Sequence, residues 1–204
     1  PKPWINVNVL SGLSLKGYGT AKRSYEAFST DQLHHLFSLR MPNKDRLLLS
    51  ILITTGMRLD EAALLTWEQY KVDRNGLRYF DLSLGATVKN DKFSARTVAI
   101  PDCLQMPEHW QNRLFDFPVD SDGKSSKKAS LHLRQYTHAV RSDVNDDRKV
   151  VHSLRHNLSG LLLNLKPTPS SEVMDWITGH GMEGARTQSE RTRTYGVDPD
   201  VSVK

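Results

Sequence analysis

Apolar residues recur along this chain with two different periods, and the change between them divides it into predicted helices and strands. Thr30-Asp31 supplies an N-cap ahead of Leu33, Leu36, Phe37 and Arg40, whose spacing predicts an amphipathic helix ending near Pro42. Asp45 opens a second helix in which Leu47, Leu48, Leu49, Ile51, Leu52 and Ile53 are apolar nearly all round, so it is expected at the centre of the domain. Thr54-Thr55-Gly56 breaks it. The helical period returns at Leu59, Ala62, Ala63 and Leu65 with Asp60 and Glu61 in an acidic first turn, which places Arg58 at the junction.

Between Tyr70 and Pro101 the period shortens. Residues 77–84 and 96–100 read as strands, Asp73-Arg74-Asn75-Gly76 as a hairpin turn, and Lys89-Asn90-Asp91-Lys92 as a second turn. A helix through Trp110 and Leu114 is predicted next, then an exposed loop over 120–128 with a basic end, and helices over 131–144, 151–162 and 171–177, with Pro167-Thr168-Pro169 as a breaker. Residues 1–29 lack a sustained period and read as an extended lead-in. The fold expected for 30–204 is mainly α with a small antiparallel β-sheet inserted, an α+β arrangement.

The predicted helix over 151–162 carries the candidate chemistry. At 100° per residue Leu154, Leu158, Leu161, Leu162 and Leu165 share one face, while His152, Arg155, His156 and Ser159 lie well round from it. One face is expected to pack and the other to present cations. A His and an Arg three residues apart stand one above the other and can converge on a single anion.

Charge changes that picture only modestly. The 204 residues include 28 Lys and Arg against 23 Asp and Glu, a formal net charge of +5 that favours an anionic partner. Cys103 is the only cysteine, which excludes an intrachain disulfide and a cysteine-rich zinc site. His152 and His156 have metal-ligand spacing, but no Glu follows His152 and Arg155 would repel a cation, so no metal is expected. No apolar run is long enough to span a bilayer, and the start at Pro1 shows no signal peptide, so a soluble, cytoplasmic or nucleoid-associated protein is expected.

Taken singly, each candidate has an ordinary structural reading: Arg58 as a surface cap, Lys89 as a solvated side chain, His180 as a satisfied core histidine, Tyr195 as a half-buried aromatic. Their order is more telling. Arg58 after a Gly-Met, a hairpin lysine at Lys89, His152-x-x-Arg155, Gly179-His180 and then Tyr195 resemble the signature of the tyrosine recombinase (phage integrase) family, over most of the chain. Lys89 ahead of Ser94, Arg96, Val98 and Ile100 is similar to the family's hairpin pattern, with Asn90 where a Thr is usual and Ala99 where a Pro is usual; Lys92 is the alternative.

The resemblance implies the integrase catalytic-domain fold and site-specific DNA recombination, the integration or excision of phage or mobile-element DNA. Tyr195 would be the nucleophile, attacking a phosphodiester to give a 3′-phosphotyrosine and a free 5′ hydroxyl. A phosphotyrosyl bond conserves the energy of the bond broken, so this chemistry needs neither ATP nor a metal, and no cofactor is expected. Arg58 and Arg155 would stabilise the charge on the five-coordinate phosphorus, which planar guanidinium forks suit better than lysine. A nearby His would take the phenolic proton, with His152 among the catalytic residues, His180 would add a hydrogen bond, and Lys89 would protonate the leaving oxygen. Double-stranded DNA is the implied partner, bound by a homotetramer on paired sites that is monomeric when free, with accessory DNA-bending proteins. The family's N-terminal DNA-clamping domain has no room before Thr30. Residues 181–194 form a longer, more polar stretch than in compact members, which leaves open whether Tyr195 acts in cis or in trans.

Two other readings suit the same residues. A type IB topoisomerase uses the same phosphotyrosine chemistry to relax DNA without a paired site. A non-catalytic DNA-binding module would use the cations only to hold phosphate, and its affinity would fall with salt while Tyr195 was immaterial.

Overall fold

A computed structural model of the chain describes residues 25–85, 95–143 and 147–179. Six helices and a three-stranded sheet are found among them: α1 (Thr30–Ser38), α2 (Asn43–Thr55), α3 (Leu59–Ala63), β1 (Tyr70–Val72), β2 (Arg78–Asp81), β3 (Thr97–Ala99), α4 (Ser126–Ala139), α5 (Ser153–Asn164) and α6 (Ser171–Thr178). The strands run antiparallel in the order β1-β2-β3, and Phe80 faces Tyr70 on one side and Val98 on the other. This is the expected mainly α architecture with a small antiparallel sheet. Among the described residues no helix is long and apolar enough to cross a membrane.

α2 is the centre of the molecule, as its all-round apolar pattern predicts. Leu48, Leu49 and Ile51 are fully buried, and the core extends from them to Phe28, Leu36, Phe80, Leu133 and Leu154. A buried carboxylate ties its first turn to α4: Asp45 accepts from the Tyr136 hydroxyl at 2.8 Å and pairs with His132 Nε2 at 2.8 Å. Burial, and then that carboxylate, push the Tyr136 phenol up to about 12.

Gly56 ends α2 in the left-handed conformation at φ 64° and sits against α5. A Cβ there would lie 2.7 Å from Leu158 Cδ2. Gly56→Ala is therefore expected to destabilise the fold by about 1–2 kcal/mol from backbone conformation alone, plus the shift of Leu158, as read by urea unfolding.

Several expected boundaries move. The cap of α1 is Ser29, whose hydroxyl accepts from Gln32 N–H while Gln32 Oε1 accepts from Ser29 N–H, a reciprocal box one residue before Thr30. β2 stops at Asp81 instead of reaching residue 84, because the Asp81 carboxylate accepts from Ser83 N–H and turns residues 82–84 into a 3₁₀ segment. No helix forms through Trp110 and Leu114. Pro107 lacks a donor and constrains Met106, and Asn112 takes φ 53°, so this stretch is irregular chain that buries Trp110, Leu114 and Phe115.

The basic end of the predicted loop over 120–128 is helical as well. Asp60 Oδ1 accepts from Ser125 N–H at 2.9 Å and from Ser126 N–H at 2.5 Å, capping α4 from a helix far upstream in the chain. α4 therefore starts at Ser126 and ends at Ala139, short of the predicted residue 144, which lies outside the described residues.

Candidate active site

The junction between α2 and α3 places Arg58. Gly56 turns the chain, Met57 is buried, and Arg58 sits in extended backbone just before α3. Glu61, one turn into α3, accepts from the Arg58 N–H through Oε2 at 2.8 Å and from Arg58 Nη1 through Oε1 at 3.1 Å. Arg58 Nη2 donates to the carbonyl of Gly179 at 2.7 Å. The end of α6, from which the chain continues to His180, is thus held at Arg58.

Glu61 also receives a second, fully buried arginine. Arg96 Nη1 and Nη2 donate to its two carboxylate oxygens at 3.0 Å each, a bidentate fork. Burial pushes the Glu61 carboxyl up, and the bonds and charges of Arg96 and Arg58 outweigh it, so the group is held below its usual range. Gly179 leaves room for that guanidinium: at φ 60°, a Cβ on it would lie 2.5 Å from Arg96 Cζ. Arg96 is not among the residues to which the sequence pattern assigned a role. Its signal lay in the alternation of the strand, where Arg96, Val98 and Ile100 are buried and Thr97 and Ala99 are exposed.

α5 brings His152 and Arg155. The backbone turns tightly over 150–155, with Ser153 N–H donating to Val150 O at 2.8 Å and Arg155 N–H to His152 O at 3.1 Å, so His152 stands at the N-cap. Arg155 Nη1 donates to Gly56 O at 2.8 Å, across 99 positions of sequence, which seats this arginine beside the turn that carries Arg58.

The division of α5 into a packed face and a cationic surface face does not hold. Arg155, His156 and Ser159 are buried together with Leu154, Leu158 and Leu162, whereas Leu161 and Leu165 are 42% and 41% exposed. The helix lies between the end of α2 and the chain over 25–29, so its polar side is internal except at its N-cap, where His152 stays exposed as expected, and the outer leucines have nothing to cover them among the described residues.

His152 reports how close the cations are. Desolvation first, then the charges of Arg155, His156 and Arg58, push its imidazole down to about 4. It is neutral at neutral pH and able to accept a proton, in a field that favours an anion. Because the unfolded value is near 6.5, the unfolded chain binds the proton more readily between these limits. Stability is therefore expected to fall as pH drops from about 6.5 to about 4, moderated by the ring's contact with solvent. His152→Asn should flatten this slope in urea unfolding measured across that range.

Of the six predicted site residues, the described structure thus gathers Arg58, His152 and Arg155. Lys89, His180 and Tyr195 lie outside the described residues, as does the alternative Lys92. Tyr25 and His156 join the site without having been singled out as functional: the Tyr25 ring lies 5.7 Å from His152 and 6.5 Å from His156, centroid to centroid.

No protein-family model matches the chain, and no characterised protein sequence matches it. Solved structures do. The catalytic domain of bacteriophage HP1 integrase is 20% identical with a TM-score of 0.55, over 86% of this chain and 90% of that one. XerH site-specific recombinase in a post-cleavage complex with its palindromic difH substrate is 17% identical with a TM-score of 0.57, over 84% of this chain and 50% of that one. Lambda integrase, a tetramer bound to a Holliday junction, is 15% identical with a TM-score of 0.57, over 91% of this chain and 52% of that one. The chain spans about half the length of the XerH and lambda proteins. The likeness is one of fold, and the fold is that of tyrosine recombinase catalytic domains.

Proposed function

We propose that this chain is the catalytic part of a site-specific tyrosine recombinase, cutting and rejoining DNA through a 3′-phosphotyrosine. The observation that carries the reading is the meeting of Arg58, His152 and Arg155 at the α2–α3 junction, within a fold shared with such enzymes. In this reading Arg58 and Arg155 hold the non-bridging oxygens of the scissile phosphate and bind them more tightly as charge gathers in the five-coordinate state. Glu61 and Gly179 O fix Arg58, and Gly56 O fixes Arg155, so both forks are oriented before substrate arrives.

The Tyr195 oxygen attacks phosphorus and His152 accepts its proton. The P–O5′ bond breaks, the 5′ oxygen takes a proton from Lys89, and His180 hydrogen-bonds a phosphate oxygen. Attack by a 5′ hydroxyl from the partner duplex reverses these steps and releases Tyr195. Four protomers on two DNA sites would exchange strands in this way, with residues 30–204 as the catalytic domain. A lowered His152 suits the task, since an imidazole already protonated at neutral pH could not receive the proton.

The test uses a nicked duplex whose short fragment bearing the freed 5′ hydroxyl diffuses away after cleavage, incubated with the chain at low salt and resolved by denaturing electrophoresis. A protein-linked strand formed only on duplexes carrying a paired target site supports recombination. Linkage on any duplex, with plasmid relaxation, points to a topoisomerase, and salt-sensitive binding without linkage points to a DNA-binding module.

A further inference from the structure

Residues 25–29 run along α5 and are fastened to its neighbourhood at two points. Asn157 Oδ1 accepts from Phe28 N–H at 3.1 Å while Asn157 Nδ2 donates to Phe28 O at 2.6 Å, and the Phe28 ring is buried in the core. Glu26 N–H donates to Arg148 O at 3.0 Å, and its carboxylate pairs with the Arg148 guanidinium. Tyr25 comes just before these anchors. Its ring lies against two imidazoles, edge-on to His156 at 89° and tilted by 58° to His152, and the imidazoles are themselves 5.4 Å apart.

We propose that Tyr25 is a positioning residue for His152: clamped by Phe28 and Glu26, its ring walls one side of the imidazole and holds it against His156. The reason is rotational freedom. A histidine at the N-cap of a helix, open to solvent, would otherwise divide its time among rotamers. With ring surface on two sides, one orientation is favoured.

The wall also carries no charge. Among the described residues the groups facing His152 are Arg155 and His156 from α5, Arg58 from the α2–α3 junction and Tyr25 from the lead-in, and the carboxylate of that lead-in, Glu26, is engaged by Arg148. Tyr25 therefore keeps water from one side of the imidazole and supplies no counter-charge that would favour protonation. Use of the neutral ring as a proton acceptor rests on the recombinase reading; its placement by Tyr25 does not.

The test is made on the 204-residue chain by following the His152 ring proton by NMR against pH, with His152→Asn for assignment. The wild-type midpoint is expected well below 6.5. Tyr25→Phe keeps the ring and is expected to leave both chemical shift and midpoint in place. Tyr25→Ala is expected to lose the ring-current contribution and to raise the midpoint by about one pH unit as water reaches the imidazole. If Tyr25→Ala unfolds, Tyr25→Leu takes its place, with the same loss of ring-current shift expected. An unmoved shift and midpoint in the ring-less variant, or an equal change in Tyr25→Phe, overturns the proposal. Strand cleavage is scored separately: a moved midpoint in a chain that never links to DNA sustains the role of Tyr25 and rejects the recombinase reading, and linkage with an unmoved midpoint does the reverse.

Discussion

Tyr195→Phe is expected to abolish the protein–DNA linkage and to leave DNA affinity unchanged. The substitution removes one oxygen, the atom that would bond to phosphorus, and keeps the ring. No hydrogen bond remains for His152 to accept and no group can displace the 5′ oxygen, so linkage should fall on the order of 10⁴-fold or more, to the detection limit. Affinity rests on cations and is unaltered when compared at a matched salt concentration. The measurement pairs denaturing electrophoresis of the nicked duplex with a binding titration. Retention of the linked product would sink the assignment of Tyr195, and Tyr25, already beside His152, would be the next nucleophile to test.

Glu61→Ala is expected to have the largest effect on stability. Its carboxylate is buried and answers two arginines, one of them with a side chain 2% exposed. Removing it leaves the Arg96 guanidinium in the interior without its counter-ion, and uncompensated burial of this kind costs about 3–5 kcal/mol. That is a large part of the roughly 5–15 kcal/mol that holds a typical domain folded. Urea unfolding should show a much lower midpoint with little change in slope. Where the variant still folds, cleavage should fall as well, because Arg58 loses one of the partners that aim it. Glu61→Gln separates the two contributions, since it keeps the shape and part of the hydrogen bonding but not the charge. A stability loss below about 1 kcal/mol for Glu61→Ala would show that the arginines find solvent or other partners, and would remove Glu61 from the account of the site.

What could be read along the chain was whatever depends on neighbours in sequence. The all-apolar run of α2 and the hairpin turn at 73–76 were legible because period and turn chemistry are local, and so was the helical break that leaves Arg58 at a junction. Gly179 showed only as half of a Gly-His pair. That its missing Cβ makes room for Arg96 depends on a strand that arrives from far upstream.

The misread parts have the opposite character. The first turn of α4 looked like a solvated basic loop, because its cap, Asp60, lies 65 residues away. The polar side of α5 looked like a surface, because nothing in its own period says that the 25–29 segment and the end of α2 close over it. The stretch around Trp110 has helical spacing of apolar residues, yet they serve as anchors for irregular chain pinned by Leu114 N–H donating to Leu65 O at 2.8 Å. There tertiary contacts outweigh a weak local preference.

By itself, then, the amino-acid order determined most of the elements, though not the chain around Trp110 or the first turn of α4, together with the burial of the central helix and the set of cationic side chains, all of which follow from short-range periodicity and side-chain chemistry. Only the tertiary structure decided which of those cations meet. Arg58 and Arg155 come together because Gly56, with no side chain, lets α2 end directly against α5 and offers its carbonyl to Arg155. Glu61 becomes a buried anchor because β3 delivers Arg96 beneath it. His152 becomes a neutral imidazole because desolvation, and then the charges gathered around it from α5 and the α2–α3 junction, disfavour its protonation, and a tyrosine from the lead-in lies against its ring. Each is a sum of short-range forces between groups far apart in sequence, and such sums exist only once the chain has closed.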